Sequence, residues 1–256
     1  MSGSAAHEVT FDTPEELAHH VAHWMVTLAR GAGPRFAVCL SGGSTPKRLY
    51  ERLADPALAA KFPWRRTYWF WGDERFVPHD DPQSNFRMAC DALLGHAPVP
   101  PQNIHAIATE GLSPEASAAA YETELKRFYG ADTLAGGPPL FDLTLLGLGE
   151  NGHIASLFPG SPALAETKRW VVPVVGQSPV DRITLTYPAL EKSRAIAFLV
   201  VGAGKREVLA RVRAGDQALP AARLRSAGAV FWFTDRAANP DLKSSSPAGE
   251  RALAGR

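Results

Sequence analysis

The sequence predicts an α/β protein in which a parallel or mostly parallel sheet is flanked by helices. Short apolar runs of strand length recur along the chain, and Phe141–Leu146 and Ala195–Val201 are typical of strands buried in such a sheet. Segments with helix-starting signals lie between these runs. Glycines and small polar residues follow several of the runs, where a buried strand would reach the ligand-binding edge of the sheet.

The composition is that of an ordinary globular enzyme, with 45% apolar and 21% charged residues in a chain of 256. Without an internal repeat, this length favours one domain over residues 1–238, and we predict that the polar tail, 239–256, is disordered. Cys39 and Cys90 are predicted to be free, buried thiols.

Several partners and locations are disfavoured by the same data. A net charge of +1 without a basic stripe argues against nucleic acid or an anionic membrane as a partner. No apolar run approaches the roughly 18 residues of a membrane span. Because the N-terminus also lacks the features of a signal peptide, we expect a cytoplasmic protein.

Capping residues and prolines define the helices in the first half of the chain. Asp12-Thr13-Pro14 starts a helix whose first turn carries acids that suit the helix dipole. Ser84-Asn85 caps another helix. The predicted elements are, in order, a helix over 14–30, a strand over 35–40, a helix from Pro46, a strand over 67–71, a helix over 85–94 and a helix over 114–129.

Strands predominate in the second half. Arg182–Thr186 alternates apolar and polar residues, as a half-exposed strand does. Gly202-Ala203-Gly204-Lys205 turns from a strand into a helix. The predicted elements are, in order, strands over 141–146, 170–175 and 182–186, a helical turn from Pro188, a strand over 195–201, a helix over 202–213 and a strand over 229–233.

The segment Ser41–Thr45, with the sequence SGGST, lies between a buried strand and a helix start. Free N–H groups, hydroxyls and the helix dipole make such a turn a cradle for an anion. It is not a Walker A loop, because no Gly-Lys-Ser/Thr follows at the required spacing. A capped turn without a ligand is the alternative, but the Gly-Gly pair favours phosphate binding because a plain cap needs only Ser or Thr.

We expect the centre of the active site at Gly147–His153, directly after the strand over 141–146. A strand that ends in glycines brings backbone N–H groups and an imidazole to the carboxyl edge of the sheet. The glycines at 147, 149 and 152 also match the dinucleotide fingerprint, and Glu166 lies near its expected ribose-binding acid. The segment Pro159–Pro162 would end the helix that this fingerprint requires, so we disfavour a dinucleotide site.

Other chemistry-bearing residues are less specific. Asp73, Glu74 and Arg75 end a predicted strand, where charges need water, partners or a ligand. Lys205, in the first turn of its helix, opposes the dipole there, so either a bound anion or a solvent-facing lysine would explain it. The His19/His23 pair shares a helix face but lacks an intervening Glu, so a solvated face is favoured over a zinc site.

The chain resembles the 6-phosphogluconolactonases over nearly its whole length apart from the two tails, because five motifs occur in the order seen in that family. They are LSGGSTP (Leu40–Pro46), WGDERFVPHDDPQSN (Trp71–Asn85), LLGLGENGHIASLFP (Leu145–Pro159), RITLT (Arg182–Thr186) and GAGK (Gly202–Lys205). The resemblance implies a modified Rossmann-like α/β fold, like that of glucosamine-6-phosphate deaminases, with a mostly parallel sheet and helices on both faces.

The resemblance also implies a reaction. It is the hydrolysis of 6-phospho-D-glucono-1,5-lactone to 6-phosphogluconate, the second step of the oxidative pentose phosphate pathway. The partner implied is this small sugar phosphate lactone, and neither a metal nor another cofactor is implied. Whether the protein is a monomer or a homodimer stays open.

His153 is the expected general base that activates water. Backbone N–H groups around Gly149–Gly152, or a nearby cation, are expected to hold the oxyanion. Asp73 is expected to orient a cation, to take part in acid–base work, or simply to pair with Arg75. By the resemblance, the residues around the sugar phosphate are Ser41, Gly42, Gly43, Ser44, Thr45, Arg75, Gly149, Arg182 and Lys205.

One position departs from the family pattern. Many members carry Asp where this chain has Asn151, and an amide cannot act as a base. We therefore expect Asn151 to orient His153 or to bind a substrate hydroxyl, with more of the catalysis falling on His153.

Two other functions compete with the lactonase. An aminosugar-phosphate deaminase would need carboxylates where this chain has Asn151 and Phe158, so that function is disfavoured. A non-catalytic sugar-phosphate sensor would bind 6-phosphogluconate without turning over the lactone. No helix-turn-helix segment precedes the fold, which disfavours a DNA-binding regulator of that kind.

Overall fold

A computed structural model describes residues 6–241 of the chain. The strands in this part are β1 (His7–Phe11), β2 (Phe36–Leu40), β3 (Thr67–Trp71), β4 (Asp73–Arg75), β5 (Phe141–Gly147), β6 (Val171–Val174), β7 (Arg182–Leu185), β8 (Ser193–Val200) and β9 (Ala229–Asp235). The α-helices are α1 (Pro14–Gly31), α2 (Ser44–Leu53), α3 (Pro56–Ala59), α4 (Asn85–Ala92), α5 (Pro114–Tyr129), α6 (Tyr187–Glu191), α7 (Arg206–Arg213) and α8 (Pro220–Arg223).

A six-stranded sheet lies at the centre, in the order β1-β9-β8-β5-β2-β3. All of its strand pairs are parallel, which confirms the predicted sheet. β2 is buried along its whole length, and a strand covered on both faces is a continuous apolar run in the sequence. Because the strands run in one direction, the segments that follow β2, β3, β5 and β8 meet at one edge.

Helices pack on both faces of this sheet, as β3 shows. Successive side chains of a strand point to opposite faces. The ring of Trp69 lies 5.7 Å from that of Phe62, just after α3. The next residue, Phe70, packs on the other face with Phe128 of α5, at 4.7 Å between ring centroids. The predicted α/β fold with flanking helices is therefore confirmed.

A second, antiparallel sheet in the order β4-β7-β6 lies beside the carboxyl edge of the first. Gly72 separates β3 from β4, so the chain passes from one sheet to the other at this glycine. In the register of β4 and β7, Asp73 is opposite Thr184 and Arg75 is opposite Arg182. This pairing brings two of the predicted site arginines together.

The structure differs from the sequence predictions in several details. The edge strand β1 was not predicted, because its first residues are exposed and its apolar pattern is short. α2 begins at Ser44 rather than Pro46. Lys205 ends a 3₁₀ turn, Ala203–Lys205, that precedes α7. Asn239, assigned to the tail, is buried, and its side-chain amide donates to Thr10 Oγ1 at 2.9 Å. The rest of the tail from residue 242 lies outside the described residues.

The two cysteines differ in burial. Both are free thiols, and Cys39 is fully buried in β2. Cys90 is only half-buried, because its place on α4 leaves part of the side chain at the surface, so the prediction of a buried thiol there was wrong. Over residues 6–241, no helix combines the length and apolar character needed to cross a membrane.

Candidate active site

A cleft of about 620 Å³ lies at the carboxyl edge of the central sheet. It brings together every site residue predicted from the sequence: Ser41, Gly42, Gly43, Ser44, Thr45, Asp73, Arg75, Gly149, Asn151, His153, Arg182 and Lys205. They come from the segments after β2, β5 and β8 and from the strands β4 and β7. The two sheets thus supply residues to a single polar cavity, of the size that holds a small ligand.

The hydrogen bonds of His153 determine its tautomer. The backbone N–H of His153 donates to Asn151 Oδ1 at 3.2 Å, and Nδ1 of the imidazole lies 2.6 Å from the same oxygen. A backbone N–H can only donate, so it is the amide oxygen of Asn151 that faces His153. Nδ1 must then carry the proton, which leaves Nε2 with a free lone pair. This contact is the geometry expected if Asn151 orients His153, one of its two expected roles, and that role stays a prediction.

Gly149 makes room for the imidazole. A Cβ atom at Gly149 would lie 2.0 Å from Nδ1 and 2.2 Å from Cε1 of His153. The ring of Phe158 lies on another side of the imidazole, at 4.8 Å between centroids. The imidazole is therefore confined between a bare backbone and an aromatic ring.

Burial and nearby charges set the basicity of His153. Burial lowers its pKa from the ordinary value of 6.5, and the cations Arg182, Lys205 and Arg75 lower it further, whereas Asp73 raises it. The net lowering makes the imidazole neutral near pH 7. A neutral imidazole with a free Nε2 can accept a proton, which is what a general base must do.

We expect an NMR titration of isotope-labelled His153 to give a midpoint below 6.5, because burial and three cations disfavour the imidazolium. Asn151→Asp places a carboxylate beside Nδ1 and should raise the midpoint relative to wild type. A wild-type midpoint above 7 would contradict this account of the site.

Asp73 is buried and bound by three different side chains. Its Oδ2 accepts a hydrogen bond from Ser156 Oγ at 2.6 Å and lies 3.8 Å from Arg182 Nη1. Its Oδ1 is 3.5 Å from the side-chain nitrogen of Asn85. The ion pair of Asp73 is therefore with Arg182, and the alternative of a pairing with Arg75 was wrong. The antiparallel pairing of β4 with β7 explains this ion pair, because it places Arg182 on the strand beside Asp73.

Arg75 and Arg182 carry unused hydrogen-bond donors. The two side chains are opposite each other across β4 and β7, an arrangement that destabilises a sheet when the charges are alike. Nε of each guanidinium is buried and has no partner within the described residues, although Arg75 also donates from Nη1 to the carbonyl of Gln83 at 2.6 Å. Burial lowers the pKa of Arg182, and Arg75 adds to this effect. A bound anion in the cleft would offset the repulsion between the two guanidinium groups, because both residues line it.

The segment Ser41–Thr45 leads into α2, whose N-terminus has no side-chain cap. Gly43 has φ +103° at the N-cap, and no side chain caps the helix. The alternative was a turn capped by a side chain, and the structure shows no such cap at α2. Tyr50 fixes the segment from behind, because its hydroxyl accepts from the N–H of Ser41 at 3.0 Å and donates to the carbonyl of Ser41 at 2.8 Å. The first-turn N–H groups of α2 are suited to bind a phosphate.

Two of the four backbone N–H groups of Gly149–Gly152 are engaged in hydrogen bonds within the turn. The N–H of Gly149 donates to the carbonyl of His153 at 2.9 Å, and the N–H of Gly152 donates to the carbonyl of Gly149 at 2.9 Å. These bonds close the turn, so neither group is free to hold an oxyanion. The cations and the N–H groups of Glu150 and Asn151 therefore both stay open as sources of oxyanion donors.

Three residues that contact the predicted site residues were not assigned from the sequence, and of these only Asn85 lines the cleft. Ser156 and Phe158 follow His153 inside the same motif, but only the fold shows that they contact Asp73 and His153. Asn85 was predicted only as a helix cap, and it donates from its side chain to the carbonyl of Asp73 at 2.9 Å. A Cβ at Gly42 would lie 1.9 Å from Asn85 Oδ1, so the absence of a side chain at Gly42 is required. The adjacency of Ser84-Asn85 to the charged segment was the one available signal.

Glu74 has a structural role. It is 1% exposed, and its carboxylate accepts from the backbone N–H groups of Arg75, Asn85 and Phe86, each at 2.7 Å. Burial raises its pKa, and these hydrogen bonds oppose that change. Glu74 thereby fixes the start of α4 while its two neighbours on β4 line the cleft.

The disfavoured sites lack what they would need. In the described chain, no α-helix follows Gly152 until α6. Glu166 accepts from the N–H groups of Lys168 and Arg169 and from the Arg169 side chain, and these hydrogen bonds lower its pKa to about 2. A dinucleotide fingerprint is therefore not formed. His19 is exposed on α1 and lies 2.8 Å from an Arg52 nitrogen, as expected for a solvated face. No group of three or more His, Cys, Asp or Glu residues within 6–241 is arranged to hold a metal ion.

Known proteins resemble this chain over most of its length. The family model described as glucosamine-6-phosphate isomerases/6-phosphogluconolactonase matches residues 12–232. A 6-phosphogluconolactonase of Synechocystis is 42% identical over 217 residues, which cover 84% of this chain and 86% of that protein. The chloroplastic 6-phosphogluconolactonase 3 of Arabidopsis thaliana is 38% identical over 245 residues, covering 91% of this chain and 74% of that protein.

Solved structures agree with these relatives. The 6-phosphogluconolactonase from Trypanosoma cruzi superposes with a TM-score of 0.82 at 31% identity, over 95% of this chain and 98% of that one. A monomeric glucosamine-6-phosphate deaminase superposes with a TM-score of 0.77 over 91% of this chain and 99% of that one, but at 23% identity it shows a shared fold only.

Proposed function

We propose that this chain, which belongs to the glucosamine-6-phosphate isomerase/6-phosphogluconolactonase family, hydrolyses 6-phospho-D-glucono-1,5-lactone to 6-phosphogluconate. In the cell this would be the second step of the oxidative pentose phosphate pathway. The observation that carries the proposal is the pairing of a neutral His153, held by Asn151, with buried and unsatisfied guanidinium donors in one cleft. A base and an anion site are the two things that hydrolysis of a phosphorylated lactone requires.

The reaction begins when His153 Nε2 removes a proton from water as the water oxygen attacks the lactone carbonyl carbon. Asp73 stabilises the imidazolium that forms, since its charge favours the protonated state of His153. The carbonyl oxygen becomes an oxyanion, which the Arg75 guanidinium in the same cleft stabilises. The oxyanion then re-forms the C=O bond, the ring C–O bond breaks, and His153 returns its proton to the departing ring oxygen. The product is the open-chain acid, and the base is regenerated.

The sugar phosphate is bound by Ser41–Thr45 and the open start of α2 together with Arg182 and Lys205. Hydroxyls, free N–H groups and cations all favour a dianion. A deaminase would need a carboxylate where Phe158 packs on the His153 imidazole, so the aromatic ring supports the lactonase over the related aminosugar reaction.

The direct test is the rate at which freshly generated 6-phosphogluconolactone disappears with and without the protein, corrected for spontaneous hydrolysis. Acceleration proportional to protein concentration supports the proposal. Binding of 6-phosphogluconate without acceleration would instead identify a sugar-phosphate sensor. Release of ammonia from glucosamine 6-phosphate would identify a deaminase.

We expect Arg182→Ala mainly to raise KM, by about tenfold or more, because a phosphate contact is made equally in the ground and transition states. Steady-state kinetics on the lactone would separate KM from kcat, with Arg75→Ala, from the opposite strand, measured in parallel. A selective loss of kcat in Arg182→Ala would place Arg182 at the reacting carbonyl and contradict the assignment.

A further inference from the structure

We propose that Ser156 is a positioning residue that fixes the Asp73 carboxylate in the cleft that it shares with His153 during lactone hydrolysis. The inference deepens the proposed function and rests on it. It concerns a residue that does not line the cleft itself, and its evidence is a chain of buried hydrogen bonds.

Ser156 joins three segments of the fold. It is 0% exposed, and its Oγ donates to Asp73 Oδ2 at 2.6 Å. Its backbone N–H donates to Thr184 Oγ1 at 3.1 Å, and Thr184 is the residue opposite Asp73 in the register of β4 and β7. The Ser156 backbone is thus attached to β7, the strand that pairs with β4. Its hydroxyl donates to Asp73 on β4.

This hydrogen bond is the shortest polar contact of the Asp73 carboxylate in the part of the chain described. Arg182 is 3.8 Å away from the same oxygen, and Asn85 is 3.5 Å away from the other. A hydrogen bond to a buried carboxylate is stronger than one between neutral groups. Without Ser156, the carboxylate would be free to turn toward Arg182 or Asn85, and its direction relative to His153 would change.

Ser156 also belongs to the loop that carries His153. Ala155, between the two, has φ +46° and is the one residue other than glycine with a positive φ among residues 6–241. An L-residue adopts this conformation only where surrounding contacts impose it. Ala155 is the second residue of a turn in which the N–H of Leu157 donates to the carbonyl of Ile154 at 2.9 Å, and the contacts of Ser156 with Asp73 and Thr184 anchor that turn. The loop therefore fixes His153 and Asp73 relative to each other.

The test is a double-mutant cycle between Ser156→Ala and Asp73→Asn, read in two ways. The first measurement is kcat and KM on the lactone. We expect Ser156→Ala to lower kcat by about tenfold or more with KM nearly unchanged, and to cause no further loss in the Asp73→Asn background.

Ser193→Ala is the control: Ser193 is also buried and hydrogen-bonded, to Thr144 at 2.8 Å, but does not line the cleft. Ser193→Ala should lower the thermal unfolding midpoint about as much as Ser156→Ala does, and it should leave kcat unchanged.

The second measurement is the NMR titration of His153, which does not depend on turnover. The charged groups facing His153 are Asp73 and Arg75 on β4, Arg182 on β7, and Lys205 before α7. Ser156→Ala should move the midpoint downward, as Asp73→Asn does, and the double variant should match Asp73→Asn alone. A midpoint and kcat equal to wild type, or additive effects in the double variant, would overturn the role of Ser156. If wild type fails to hydrolyse the lactone, the proposed function fails, and the titration still decides whether Ser156 positions Asp73.

Discussion

His153→Ala is expected to lower kcat for lactone hydrolysis by about 100-fold or more, the usual scale for loss of a general base. The imidazole is neutral near pH 7 and presents Nε2 as the free nitrogen, so the variant loses the proton acceptor itself. The guanidinium groups and the Ser41–Thr45 segment stay in place, so KM should change much less. Initial rates of lactone disappearance, corrected for spontaneous hydrolysis, give both constants.

The control for this variant is His96→Ala, because His96 is exposed and its side chain contacts the carbonyl of Asp91, at 2.7 Å, outside the cleft. It should retain wild-type kcat. A His153→Ala protein with wild-type kcat and an intact fold would remove His153 from the mechanism.

Gly149→Ala is expected to reduce kcat on the order of 100-fold, although it changes no chemical group. The new Cβ would lie 2.0 Å from Nδ1 of His153, a distance that requires something to move. The backbone is held, because the N–H of Gly149 donates to the carbonyl of His153. The imidazole must therefore turn away, and its hydrogen bond to Asn151 breaks. Kinetics and the His153 titration would both report the change.

Gly147→Ala is the control for the clash with His153 and is compared on kcat alone, because a Cβ at Gly147 would meet no protein atom within 4 Å although Gly147 lines the cleft. The two glycines are separated by one residue at the end of β5. We expect less than about a threefold loss of kcat in Gly147→Ala. Equal losses in both variants would show that the segment tolerates no side chain for reasons unrelated to His153.

The sequence was sufficient to predict the parallel sheet and the location of the cleft. Continuous apolar runs such as Phe36–Leu40 identify strands buried on both faces, and the carboxyl ends of parallel strands meet at one edge. The glycines and polar residues after β2 and β5 were therefore expected to come together, and they do.

Contacts that depend on antiparallel pairing could not be predicted. β4 has three residues, which is too short for an apolar period to be recognised, so nothing indicated that Arg75 would be opposite Arg182 or that Asp73 would pair with Arg182. The same limit applies to Ser156, whose partner Asp73 is 83 positions away in the chain. The glycines near His153 indicated backbone donors, but whether those donors were already used depended on the conformation of the turn.

The facing guanidinium groups of Arg75 and Arg182 have a consequence for how this protein can evolve. Two like charges on adjacent strands reduce the stability of the empty protein, and a bound anion removes that cost. A substitution that neutralises Arg75 leaves the ion pair of Arg182 with the buried Asp73 in place, so it would be favoured by selection for thermal resistance alone and eliminated by selection for turnover. Arg75 is therefore a residue at which stability and activity are in direct conflict, and selection for the reaction is what retains it.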